Sequence, residues 1–317
     1  DRITDLTSRS VVPYRDVINR WHLQKKDPSA ELSDPVQPIV WWIENTTPYE
    51  YRDLIKEAGL LWNRSFEKAG FTNAIEIRVQ PDDAEWDAGD LRYNVLRWTS
   101  SPNPPFGGYG PSFTNPRTGQ IVGADIMLEF AFLTNRLRTQ GALRPGSSED
   151  PVSPHFCNLG FSMQSDYLFA SGGLEALPGR SSAMGDLTRD SIFMLVLHEL
   201  GHTLGLTHNM RASQLHSSPF DAELVAEKGL SASVMDYEAV NVAPSGATQT
   251  FFYQNRPGPY DDWVIEYGYS ESLAEEKIKA EKIDQQILDL RKRIQVAKRN
   301  FIHIMNVPIT IVVLRIY

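Results

Sequence analysis

Cysteine is almost missing from this chain: Cys157 is the one thiol among 317 residues. No intrachain disulfide can form, so covalent stapling has no part in its stability. Also missing is any apolar run of the roughly 18 residues that a membrane-spanning helix needs. No basic stretch followed by an apolar core opens the sequence, so this chain carries no signal peptide of recognisable pattern. An excess of positive charge is lacking too, with 31 Lys and Arg against 40 Asp and Glu and a formal net charge of -9. Phosphate binding depends on clustered Lys and Arg, so this balance argues against nucleic acid and leaves a peptide or protein partner open. The chain begins at Asp1 rather than at a methionine, which reads as a processed or excised piece of something longer.

What is present is the composition of an ordinary globular protein, 41% hydrophobic and 22% charged, on a chain long enough for one sizeable core with appendages. The apolar run Ile39-Val40-Trp41-Trp42-Ile43, within 36–44, predicts a strand buried on both faces. A helix is predicted next. Thr47, Pro48 and Glu50 supply an N-cap, a first-turn proline and a capping-box acid, and apolar residues from Tyr51 to Ala69 recur at helical spacing up to a stop at Gly70. Ile75, Ile77 and Val79 alternate with Glu76, Arg78 and Gln80, the period of a strand with one wet face. Another strand is predicted over 91–98. Between them Asp82, Asp83, Glu85, Asp87 and Asp90 resemble a calcium loop in charge only, because Ala88 stands where an EF-hand needs glycine; they read as a solvated turn.

The arm Tyr109-Gly110-Pro111-Ser112-Phe113, the turn at 115–119 and the run 121–128 read as a hairpin. Its Gly/Pro-interrupted first arm suits a sheet edge, where one side of the ladder is unpaired. From about 138 to 185 Gly, Pro and Ser are frequent enough to predict a long irregular excursion over the surface. His155 and Cys157 lie in it, and the two alone are expected to be packed or exposed rather than bound to zinc. After 269 the character changes to Glu, Lys, Gln and Ile, with Ala280, Ile283, Ile287, Leu290, Ile294, Ala297 and Phe301 forming a short heptad seam. The expected division is an N-terminal extension over 1–35, a core domain over 36–269 and a helical C-terminal segment over 270–317.

Three of the seven histidines fall within eleven positions, His198-Glu199-Leu200-Gly201-His202-Thr203-Leu204-Gly205-Leu206-Thr207-His208. The apolar run 192–197 before them predicts a helix buried nearly all round, with Thr188 as its N-cap. Four apart on that helix, His198 and His202 project from one face and can bind a single ion. Glu199 stands beside that face, within reach of a metal-bound water without being a ligand. Gly205 has the helix-stop position, where a left-handed glycine reverses the chain at no Cβ cost and lets His208 swing back toward the ion. Three neutral imidazoles leave the fourth position of a tetrahedral zinc to water, the arrangement of a catalytic site.

This motif resembles the metzincin signature, and Ser233-Val234-Met235-Asp236-Tyr237 resembles that clan's Met-turn. In relatives resembling astacins and serralysins the tyrosine two places after the methionine lies near the zinc, which by matching position is Tyr237, although Asp236 departs from their usual His. The order of elements is also similar to a metzincin catalytic domain. The resemblance implies an α+β catalytic domain over 36–269, with a twisted mixed sheet ending in an antiparallel edge strand, a backing helix and a central active-site helix. Segments 41–45, 91–98, 115–119 and Gly258-Pro259-Tyr260-Asp261-Asp262-Trp263 most resemble large bacterial zinc-dependent metalloproteases. These are typically exported, which implies an extracytoplasmic location.

The expectation is then a zinc endopeptidase acting on a peptide or protein substrate. His198, His202 and His208 would hold Zn2+, Glu199 would activate the water, and Tyr237 would stabilise the oxyanion. Gly205 and Met235 would shape the site, while Tyr109, Gly110, Pro111, Ser112 and Phe113 would pair with extended substrate. Two other classes compete. A zinc-stabilised binding module without turnover is opposed by the presence of both Glu199 and Tyr237, and a scaffold would rest on the heptad segment.

Overall fold

The computed structural model describes residues 2–4, 7, 14–100, 108–129, 157, 159–176, 183–216, 222–244 and 248–270. His155, the heptad seam and the strand-like end expected at 307–317 lie outside the described residues. Strands β1 (Arg2–Thr4) and β2 (Tyr14–Asp16) pair antiparallel as a separate ribbon. β3 (Arg20–Trp21) belongs to a sheet described below.

β4 (Ile39–Ile43) buries Ile39, Trp41 and Ile43, while Val40 and Trp42 are only half-buried. The expected burial on both faces is thus strong on one face and partial on the other. The second face is covered by aromatics: Trp42 meets Trp86 edge-on at 5.5 Å, and Trp86 stacks on Tyr93 at 3.9 Å. These rings pin the acidic turn. In that turn Asp87 accepts the Gly89 amide and Asp90 pairs with Arg92. Among the described residues the group of side chains able to hold a metal lies elsewhere, at Cys157 and the motif histidines.

β5 (Ile75–Val79) and β6 (Asn94–Thr99) flank β4 in parallel. β7 (Gly108–Tyr109), β8 (Ser112–Thr114), β9 (Gln120–Ala124) and β10 (Ile126–Glu129) follow. The main sheet has the order β5-β4-β6-β10-β7, with β10 parallel to β6 and β7 antiparallel to β10 as the end strand. An α+β domain with a mixed sheet and an antiparallel edge is therefore what forms.

The hairpin needs correction, because its first arm serves two sheets. Tyr109 pairs with Met127 in the main sheet, whereas Ser112 and Phe113 pair with Ala124 and Gly123 in a second sheet of order β3-β9-β8. The crossing falls at Gly110-Pro111, where proline has no N–H to give and the Pro111 carbonyl accepts the Asp125 amide at 3.1 Å.

The predicted helix over 48–69 is two helices, α1 (Tyr49–Leu60) and α2 (Asn63–Lys68). Tertiary bonds break it. Trp62, fully buried, donates its indole N–H to the Leu197 carbonyl at 3.2 Å, and the Asn63 side chain brackets the backbone of Ile75 at 2.8 and 2.9 Å. Thr47 does not cap: Pro48 holds the N-cap position with no side-chain bond, and the Thr47 hydroxyl is buried without a partner among the described residues. Gly70 stops the second helix at φ +92.

The irregular excursion expected over 138–185 contains instead an 18-residue helix, α3 (Leu159–Ala176). Its buried Leu159, Met163, Ala170 and Leu174 are spaced four, seven and four apart, a helical face that packs against α4 (Met184–Thr203). Gly172-Gly173 and the serines hid this periodicity. α4 starts a turn earlier than predicted. Thr188 is not its cap, because its hydroxyl bonds back to the Met184 carbonyl at 3.0 Å inside the helix.

Of the 20 residues of α4, 14 are buried, enclosed by α1, α3 and the edge of the sheet at β10 and β7. A 3-10 turn (Ala212–Leu215), α5 (Ala222–Lys228) and α6 (Pro259–Tyr269) complete the described chain. Residues before position 36 also pack here. Trp21 donates its indole N–H to the Thr203 carbonyl at 2.8 Å, and Leu23 is in the core. Among the described residues no helix is long and apolar enough to cross a membrane.

Candidate metal centre

His198 and His202 leave α4 one turn apart, as their spacing requires, with ring centroids 4.8 Å apart. The Nδ1–H of His198 donates to the Val234 carbonyl at 2.6 Å, and that of His202 to the Leu206 carbonyl at 3.1 Å. A carbonyl only accepts, so each ring must carry its proton on Nδ1 and each Nε2 is left with a lone pair. Burial, reinforced by the neighbouring histidines, holds His198 well below the usual imidazole range and His202 down to about 4. Both are therefore neutral near pH 7.

Gly205, at φ +97, turns the chain directly after α4. Any Cβ there would collide with the Asn19 carbonyl. The reversal brings His208, exposed and lowered by partial burial, back to place its Nε2 3.0 Å from that of His202.

The Met-turn lies beneath. Met235 is fully buried with its sulfur against Gly201 of α4. Asp261, at the start of α6 and also fully buried, accepts the Ser233 hydroxyl, the Val234 amide at 2.9 Å and the Gly258 amide at 2.8 Å. A continuous path results: Asp261 fixes the Val234 amide, and the Val234 carbonyl fixes His198. Asp236 accepts the Ser213 amide at 2.7 Å and the Tyr237 amide at 2.8 Å. A carboxylate here ties the 3-10 turn to the Met-turn. Tyr237 reaches the histidines, its Oη 3.1 Å from His208 Nε2.

Glu199 is fully buried; its carboxyl oxygens make no hydrogen bond of full geometry among the described residues, and their polar neighbours are the Cys157 thiol and the Gly110 backbone. Burial pushes its carboxyl up to about 8. The edge strand passes directly over it: a Cβ on Gly110 would stand 2.7 Å from the Glu199 carbonyl oxygen, so only glycine allows that approach. Cys157, expected to be packed or exposed rather than to bind zinc with His155 alone, is buried beside the histidines, its Sγ 3.3 Å from His198 Nε2 and 3.3 Å from Tyr237 Oη.

The donor set fits zinc. Two lone-pair nitrogens 3.0 Å apart repel unless a cation or a proton lies between them, and three imidazoles with an adjacent thiol are typical zinc donors. Residues 180–302, spanning α4, the third histidine, the Met-turn and α6, match a family described as Met-zincin. This part of the chain is similar to metzincins. No curated protein and no solved structure gives a significant match. The Met-zincin match implies a zinc metallopeptidase, and with the His/Cys group it supports zinc as the cofactor.

Within the matched segment the structure brings together His198, His202, His208, Glu199, Met235 and Tyr237. Of the arm, Gly110 lies against Glu199, as does Gly108 just before the arm, while Ser112 and Phe113 sit farther along in the second sheet. Sequence reasoning missed two residues. Asp261 lay inside a quoted stretch, and its place three residues after a helix-opening glycine was the available signal. Cys157 offered none, being 41 residues before His198.

Proposed function

We propose that the chain is an endopeptidase whose centre is His198, His202, His208 and Glu199. One observation carries this reading: three imidazole nitrogens converge beside a fully buried carboxyl group that makes no hydrogen bond of full geometry among the described residues. Zinc held by the three histidines supplies Lewis acidity toward a peptide carbonyl and makes water a nucleophile near neutral pH. Glu199 accepts the proton of the attacking water and delivers it to the leaving amine, so its oxygens stay free of structural bonds. The Tyr237 hydroxyl donates to the oxyanion that develops on the carbonyl.

An extended substrate adds to the end strand of the sheet through the backbone of Tyr109, Gly110 and Pro111, and continues along Ser112 and Phe113, whose strand ends the second sheet. Main-chain pairing on both sides of the scissile bond favours internal cleavage and leaves selectivity to side-chain pockets. An extracytoplasmic place of action belongs to the same reading.

Glu199→Ala should keep about one zinc per chain and lose turnover, since base and ligands are different residues. Mapping the products of a peptide library by mass spectrometry should show cuts away from the ends. Near-full activity of Glu199→Ala, or cleavage confined to terminal residues, would defeat the assignment.

A further inference from the structure

A helix leaves its last four carbonyls without partners of its own. At the end of α4 these belong to Gly201, His202, Thr203 and Leu204. Two are closed locally: the Leu206 amide reaches the Gly201 carbonyl at 3.0 Å and the Gly205 amide the His202 carbonyl at 3.0 Å, the bond pair that a left-handed glycine makes at a helix end. The other two are closed from far off in the sequence. Trp21 donates its indole N–H to the Thr203 carbonyl at 2.8 Å. The Tyr269 hydroxyl donates to the Leu204 carbonyl at 2.9 Å and accepts the Trp21 amide at 3.2 Å.

These bonds reach beyond the helix end. The turn they pin leads into Leu206, whose carbonyl accepts the Nδ1–H of His202 at 3.1 Å, and His208 follows two residues later. Both donors stand on fixed supports. Trp21 lies in β3, paired with β9, and its neighbour Arg20 donates its amide to the Gly119 carbonyl at 3.0 Å and its guanidinium to the Gly268 carbonyl at 2.8 Å. The Asn19 carbonyl rests against Gly205. Tyr269 is 2% exposed and meets Phe66 edge-on at 4.9 Å. Trp21 is only half-buried, so an indole present for packing alone could turn its N–H to water; here it is aimed at the backbone of a fully buried residue.

We propose that Trp21 and Tyr269 are positioning residues of the metal centre: together they close the carbonyl end of α4 and so hold the turn from which His202 is oriented and His208 is returned. The inference rests on the zinc-holding part of the peptidase reading and extends it to two residues that touch neither metal nor substrate. Outer partners of metal-binding histidines fix ring orientation, and their loss costs about 10- to 100-fold in metal affinity. α6 thus acts on the centre with both ends. Asp261 in its first turn fixes His198 through Val234, and Tyr269 in its last turn fixes His202 and His208 through Leu204. Trp21 lies outside the matched segment 180–302, so the centre is completed by a strand that precedes the whole main sheet in sequence.

The zinc dissociation constant of the purified chain, read by competition with a chromophoric chelator, tests this. Trp21→Phe keeps an apolar ring and loses the N–H, and Tyr269→Phe loses only the hydroxyl; each should weaken zinc binding by about 10- to 100-fold. Cobalt bound to either variant should show shifted d–d bands, because the ligand geometry changes. Leu23→Ala is the control, a core truncation two residues after Trp21. It should lower the urea midpoint at least as far as either variant, yet leave zinc affinity and cobalt bands as in the wild type. Zinc affinity in both variants equal to wild type, or reduced no further than in Leu23→Ala, would overturn the inference. A wild-type chain that binds no zinc would overturn it together with the peptidase reading. Weakened zinc in both variants alongside full turnover of Glu199→Ala would uphold the inference and defeat the peptidase assignment. Should Trp21→Phe fail to fold, Tyr269→Phe decides.

Discussion

The two sides of the metal centre are built by opposite rules. On the floor, from Ser233 to Tyr237, the polar groups meet protein partners: Asp261 accepts three donors, Asp236 accepts two, and the Met235 carbonyl takes the Asn209 amide at 2.8 Å. On the opposite side Glu199 is as deeply buried, yet its oxygens make no hydrogen bond of full geometry among the described residues. Burying an unpaired polar group costs about 1–3 kcal/mol, so this contrast is not accidental packing. Groups that hold the proposed ligands in place are satisfied, and the proposed general base is not.

The sharpest way to break the comparison is Glu199→Gln. Turnover should fall by about 10² to 10⁴, while thermal stability stays level or rises, because a desolvated carboxyl is replaced by a neutral amide. Steady-state kinetics and a melting curve on one preparation check both; lower stability with retained turnover would make Glu199 a floor-type residue. Tyr237→Phe comes next. It should lower kcat by about 10² to 10³, or about 2.7–4 kcal/mol, with little change in KM or zinc content. A kcat within a few-fold of the parent would move Tyr237 to the structural side.

Asp261→Ala should cost about 3 kcal/mol in urea unfolding, because three donors lose a buried acceptor at once. A loss no larger than that of a surface substitution would show that the floor is not held through Asp261. The smallest effect concerns Asp190, lower on the same helix, which accepts the Phe252 amide at 2.8 Å and is pushed up to about 6 by burial. Its folded value lies above its unfolded one, so the folded state binds the proton more tightly. Its contribution is then present at low pH and is lost as pH rises through about 6, worth about 2–3 kcal/mol at most. Asp190→Asn should flatten the fall in urea midpoint between about pH 4 and about pH 7; identical slopes would contradict it.

How much could be read from the sequence follows the range of each interaction. His198, His202 and Gly205 were legible because an i, i+4 pair and a left-handed stop are local geometry, independent of the rest of the fold. Met235 and Tyr237 were legible only through resemblance, since nothing local distinguishes them from core filler. Strand β4, the mixed sheet and its edge followed from periodicity. The break at Trp62 did not, because a partner 135 residues away sets it. α3 was hidden by its own glycines and serines, and its burial comes from α4. The arm at Tyr109 was placed at an edge correctly but given to one sheet, because β3 pairs with β9 from far off in sequence and carries part of the arm into the second. Cys157 and Asp261 act through atoms distant in sequence, and only the fold joins them to the histidines.

The central claim is that the three histidines hold a zinc on which peptide hydrolysis depends. Elemental analysis of the purified chain, paired with peptide cleavage before chelation, after it and after zinc is returned, tests this most directly. The account predicts about one zinc per chain, activity lost with the metal and regained with it. A chain without zinc, or one that cleaves peptides equally well with the metal removed, would contradict it.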